Sequence, residues 1–75
     1  QLNHPQLAIQ AYQQALDQGA NPQDNWRIEE TIGRIYAQMG DVENAFFWLT
    51  RALMSAPEEE KERLQSMIAQ LETQR

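Results

Sequence analysis

The sequence predicts an all-α chain, four helices folded as antiparallel helical hairpins of an α-solenoid. Three observations carry this. No stretch alternates apolar and polar residues with period two, so no strand is expected. Four segments place apolar residues three and four apart, and short links rich in Gly and Pro separate them. Residues 38–53 also repeat the pattern of residues 1–16, with Gln38 over Gln1, Ala45 over Ala8, Ala52 over Ala15 and Leu53 over Leu16.

The first helix is expected over 5–18. Pro5 suits a first turn, where its missing N–H is not needed. Leu7, Ala8, Ala11, Tyr12, Ala15 and Leu16 fall on one side, and Gly19 ends the helix in a left-handed turn. The second is expected over 22–39, with Asn21 as N-cap, Pro22 as first helical residue and Asp24 in the first turn. Trp26, Ile28, Ile32, Ile35, Tyr36 and Met39 form its apolar surface, and Gly40 ends it. The third runs over 42–55 behind Asp41 as N-cap, with a stripe of Val42, Ala45, Phe46, Leu49, Ala52 and Leu53. Phe47 and Trp48 widen that stripe beyond one face. The fourth runs over 57–74. Ser55 and Glu58 have capping-box spacing, Glu58 to Glu60 favour the helix start, and Arg75 suits its end. Its stripe is Leu64, Met67, Ile68 and Leu71.

Short links make neighbouring helices antiparallel. Gly33 then needs a reason, because a glycine inside a helix costs about 1 kcal/mol against alanine. Small residues recur seven apart at Ala8 and Ala15, and again at Ala45 and Ala52. Facing them, Gly33 lets the second helix press against the third, with Tyr36 or Phe46 filling the space beside the contact.

These residues resemble a tetratricopeptide repeat, a helix–turn–helix unit of about 34 residues. The resemblance covers Trp26 to Glu59. Ile32, Gly33 and Tyr36 stand at the small and large positions of the unit's first helix, and Gly40 and Asp41 at its turn. Ala45, Leu49, Ala52 and Leu53 mark the second helix, and Pro57 starts the next. Glu29 departs from the family, which has Trp or Leu there; Trp26, one turn earlier, is expected to fill that place. The spacing between Ala15 and Gly33 is also longer than usual, read as a longer start to the second helix. The resemblance implies a right-handed superhelix. Residues 5–18 would be the second helix of a preceding repeat, with Leu2 the trace of its mate. Residues 22–55 would be a full repeat, and 57–74 a capping helix with Ile68 where a stacking repeat wants glycine. Lys61, Glu62, Arg63, Gln65, Gln70 and Glu72 would form that cap's solvent face. Gln1 begins mid-pattern, so the array is expected to continue N-terminally. All 75 residues are read as one such unit.

Composition narrows the function classes. Eleven acidic and six basic residues leave a net charge of −5, which repels phosphate backbones and anionic membrane surfaces. No apolar run reaches the length of about 18 residues that a membrane span needs. There is no cysteine and one histidine, His4 beside Pro5, so no zinc site is expected. Glu58 to Glu62 form a helix start without the spaced ligands of a calcium loop. Glu29 and Glu30 point about 100° apart on a helix and cannot act as one acid/base pair. Glu30 and Arg34 are spaced for a surface ion pair. Ser55 and Ser66 have no histidine in reach, and no glycine-rich phosphate loop is present. No enzyme, metal or cofactor is expected.

A protein or peptide partner is expected instead. By the resemblance, the first helix of the repeat lines a groove, which here assigns Arg27, Glu30, Arg34, Ala37 and Gln38, with Glu62, Gln65 and Ala69 from the fourth helix. The family subset that grips chaperone C-terminal carboxylates uses Lys and Asn at such positions; Glu30 and Arg34 stand here, so that activity is not expected. Phe47 points to the convex face and with Met54 forms either an exposed contact patch or a surface covered by the fourth helix. Trp48 is expected to pack toward the fourth helix or a neighbour. An unmated first helix leaves Ala8, Ile9, Tyr12 and Leu16 partly uncovered, a route to homodimers through 5–18. The leading function is thus a non-catalytic protein–protein interaction scaffold. The alternative is a structural capping or self-association segment.

Overall fold

The structure, a computed structural model, describes residues 4–19 and 21–74. Four α-helices follow in order: α1 (Pro5–Asp17), α2 (Asn25–Gln38), α3 (Val42–Ser55) and α4 (Glu58–Glu72). Among the described residues there is no strand. The expectations placed on Gln1, Leu2 and Arg75 lie outside the described residues.

Local chemistry sets the helix ends. Gly19 and Gly40 both take φ +84°, the left-handed stop that favours glycine. After α2, the Gly40 amide donates to the Ala37 carbonyl at 3.1 Å, and the Asp41 amide reaches back to the Tyr36 carbonyl at 2.9 Å. This pair closes the last turn as a Schellman motif. Asp41 then starts α3: its Oδ1 accepts from the Asn44 amide at 3.2 Å, and its Oδ2 from Asn44 Nδ2 at 2.8 Å. One residue therefore closes α2 and opens α3, which makes the turn tight. Asp41→Ala is expected to cost about 1 kcal/mol, read as a fall in the thermal midpoint with the helical signal before the transition unchanged.

Two helix starts differ from expectation. Residues 22–24 form a separate 3₁₀ turn, so α2 begins at Asn25 rather than Pro22. Asn21 Oδ1 does accept an amide, from Gln23 at 3.0 Å, and so caps the 3₁₀ turn instead of α2. The Ser55–Glu58 capping box does not form. Ser55 is still inside α3, so its backbone is helical; Ala56 and Pro57 run extended, and Pro57 precedes α4 with no side-chain cap.

The core runs along the junction of α2, α3 and α4. Trp26, Ala52, Ala56 and Leu64 close one end of it, with Leu53 and Met67 packed on them. Ala45, Leu49 and Leu71 close the other, bordered by Tyr36, Val42 and Ile68. Between them the α2–α3 contact is close. A Cβ on Gly33 would lie 2.8 Å from Leu49 Cγ and 3.2 Å from the Leu49 backbone nitrogen. Gly33 is where the helices touch, as the repeat pattern requires, and Ala45 and Ala52 are fully buried facing α2 and α4.

α1 packs on α2 more lightly. Its buried residue is Ile9, at 5% exposure, whereas Leu7 is 59% exposed and Ala11 also faces solvent. The expected stripe is thus rotated: Ile9 is covered rather than open, while Ala8 and Leu16 are half-buried and Tyr12 is 38% exposed. A helix with a neighbour on one side only has room to choose which of two adjacent faces it buries.

Candidate partner-binding groove

α2 offers its solvent face through residues at i, i+4 and i+7 spacing. Arg27, Arg34 and Gln38 are exposed on it, and Ala37 is half-buried. Glu30 is not part of that open face. It is buried at 7% exposure, and its carboxylate accepts two hydrogen bonds from α4: Arg63 Nη1 donates to Oε2 at 2.6 Å, and Nη2 to Oε1 at 3.1 Å. Arg63 also donates from Nε to Glu60 Oε1 at 2.9 Å. Its fork-shaped guanidinium thus holds two carboxylates at once, geometry a lysine could not supply.

Glu30 is thus buried rather than on an open groove face, while Arg63, exposed on α4 as expected, reaches in to pair with it. Their pairing lets a charge sit in a half-dry seam: burying a carboxylate is costly unless it is both paired and hydrogen-bonded. The hydrogen bonds it donates to Glu30 first, then to Glu60, push the Arg63 guanidinium still further above its ordinary high pKa. A raised pKa stabilises the fold below the ordinary arginine range and loses that contribution only as pH climbs through it. The clamp is therefore insensitive to proton loss from Arg63 at any physiological pH. Arg34 Nη1 lies 3.9 Å from Glu30 Oε2, at the outer limit of an ion pair, and its side chain remains 63% exposed.

Beyond the clamp, α2 and the C-terminal half of α4 enclose a shallow crevice of about 150 Å³. Leu49 lies at its floor, Ala37, Met67 and Leu71 form its apolar walls, and Arg34, Gln70 and Gln74 supply polar groups. Arg34 and Ala37, both named from the repeat pattern, line this crevice together. Gln38 lines a different hollow, between α1 and α2, with Pro5, Ala8, Ile35 and Met39. Arg27 lies over the Trp26 ring, 5.4 Å from its centroid. Glu62, Gln65 and Ala69 are exposed and line neither hollow. Met67 and Gln70 of α4, with Gln74 just past its end, line the crevice instead; which flank of the Leu64–Leu71 stripe meets α2 depends on how α4 docks.

The convex side carries the second candidate. α4 does not fold over Phe47, which is 52% exposed, and Met54 is 76% exposed. Trp48 turns its ring edge-to-face onto Phe47, centroids 5.6 Å apart, rather than joining the α4 core. Arg51 covers both rings, at 5.7 and 5.1 Å, and its Nε stands 3.5 Å from Glu29 Oε2. Glu29, 5% exposed, is buried beside Arg51, while Trp26, 6% exposed, packs on Ala52, Ala56 and Leu64.

Among the described residues no group of three or more His, Cys, Asp or Glu side chains is placed to hold a metal ion. No described helix is long and apolar enough to cross a membrane.

The tetratricopeptide repeat family model matches residues 30–59, which span the Gly33–Leu49 contact, the Gly40–Asp41 turn and Pro57. No curated protein and no solved structure gave a significant match. Tetratricopeptide repeats are in general protein–protein interaction modules, scaffolds rather than catalysts. With its two helices joined tail to head across a glycine–leucine contact, the 30–59 hairpin matches a tetratricopeptide repeat in sequence and in form.

Proposed function

We propose that this chain is a non-catalytic interaction segment of a helical-repeat scaffold, and that it meets its partner along the α2–α4 face. The observation that carries this is the crevice itself. The clamp of Arg63 on Glu30 fixes α4 beside α2 without filling the space C-terminal to it, where apolar walls and three polar side chains converge. A concave site of mostly apolar lining with few polar groups is the usual form of a recognition pocket. In this reading α1 is the second helix of a preceding repeat and α4 a capping helix, with Glu62, Gln65 and Glu72 on its exposed side.

A second reading has its own support. Leu7, Tyr12, Phe47 and Met54 are large apolar residues left exposed on α1 and α3, a surface suited to self-association. The two separate by photocrosslinking in the full-length protein. A benzophenone side chain replacing Gln74, beside the crevice, is expected to trap a different protein, and the same group replacing Gln65 to trap nothing. If only Tyr12 or Phe47 positions cross-link, and only to another copy of the chain, the self-association reading replaces the groove.

A further inference from the structure

Four exposed residues of α3 fall along one side of the helix: Glu43, Phe47, Arg51 and Met54. Phe47 sits midway between the two charges, with an acid four residues before it and a base four residues after it. Read backwards, the row has the same apolar centre with its charges exchanged. Such a row is complementary to itself when two copies of α3 run antiparallel. Arg51 stands over the Phe47 and Trp48 rings, and its Nε lies 3.5 Å from Glu29 Oε2. These contacts hold the guanidinium in place, yet it makes no hydrogen bond among the described residues. Its donors therefore remain for an outside carboxylate, on a side chain 51% exposed. α1 also exposes large apolar residues, Leu7 and Tyr12, but Asp17 is its only charge and fixes no register.

Resting on the self-association reading above, we propose that a second copy of the chain covers this face, paired antiparallel through α3 about a two-fold axis at Phe47. Each Phe47 packs on the other. Each Arg51 meets the other copy's Glu43, and each Met54 lies over the other copy's turn at Gly40, where no side chain stands in the way. Parallel pairing would set Arg51 against Arg51 and Glu43 against Glu43, so charge selects the antiparallel form. A contact of one helix face per copy is small, which places the dimer in the weak, transient class. None of the four residues lines the α2–α4 crevice, so pairing leaves two crevices open on one particle.

The test is sedimentation equilibrium of the full chain over a range of concentrations, with circular dichroism to confirm that each variant keeps its helicity. The mass is expected to rise from monomer towards dimer as concentration increases. Glu43→Arg should weaken the dimer by about tenfold, because it turns two exposed attractions into two repulsions. Tyr12→Glu should leave it unchanged. The chain has no cysteine, so a single introduced thiol reports the axis. Under mild oxidation Phe47→Cys should link two copies severalfold faster than Met54→Cys, whose thiols stand at opposite ends of the paired helices. A dimer that Glu43→Arg leaves unchanged overturns the α3 pairing; if Tyr12→Glu dissolves that dimer, self-association stands through α1. Faster linkage through residue 54 than through residue 47 overturns the antiparallel axis. A chain that stays monomeric at every concentration overturns both the pairing and the self-association reading.

Discussion

Replacing Gly33 with valine is expected to cost about 3 kcal/mol, the upper range for overpacking a filled core, and to lower the thermal midpoint by about 15 °C in a domain of this size. The reason is positional. A Cβ at residue 33 would meet Leu49 at its branching carbon, 2.8 Å away, and at its backbone nitrogen, 3.2 Å away. Leu49 is 1% exposed with Ala45 and Leu71 packed against it, and no turn of its side chain relieves the contact with its backbone nitrogen. Gly33→Ala is the finer experiment. It regains about 1 kcal/mol of helix propensity and pays an overpacking cost of about 1–3 kcal/mol, so a net loss is expected. A rise in midpoint on Gly33→Ala would mean that propensity wins and that α2 and α3 do not approach as described.

The second large effect is at the clamp. Arg63→Met leaves the buried Glu30 carboxylate with only the distant Arg34, at 3.9 Å. Removing one partner of a fully buried pair costs about 3–5 kcal/mol; here Arg63 is half-exposed, so solvent screening reduces the expected loss to about 2 kcal/mol. Glu30→Met alone should cost less, because Arg63 keeps Glu60 and can turn to water. The double replacement should recover most of the Arg63→Met loss, since two apolar side chains leave no orphaned charge in the seam. Chemical denaturation of the four species gives the cycle. Additive losses would show that the two side chains do not act on each other.

What the residues disclosed, and what they hid, follows from range. The Gly40 stop and the Asp41 cap act within a few residues, and both were legible. So was Gly33, because a glycine within a helical pattern demands a close neighbour, and the repeat supplied Ala45 and Ala52. The Glu30–Arg63 pair spans α2 and α4, and no periodicity links the two. Each residue, read alone, looks like part of a solvated face. Ser55 matched a capping-box spacing that counts residues but not dihedrals, and α3 had not yet ended there. On α1, Leu7 and Ile9 lie on different flanks of one helix, and only the docking onto α2 decides that Ile9 is covered. Of the residues named from the repeat pattern, Arg34 and Ala37 line the α2–α4 crevice, whereas Gln70 and Gln74, not Gln65 and Ala69, line it from the other side, because which flank of α4 meets α2 is set by docking.

The account stands on the α2–α3 hairpin meeting across Gly33, with α4 docked on both. Isotope-edited NOE spectroscopy of methyl-labelled protein reads that geometry directly. The α-protons of Gly33 should give strong cross-peaks to the Leu49 methyls, and the Trp26 indole should give them to the Leu64 methyls. Absence of both sets, with the Gly33 amide exchanging freely with water, would contradict the packing and the groove built on it.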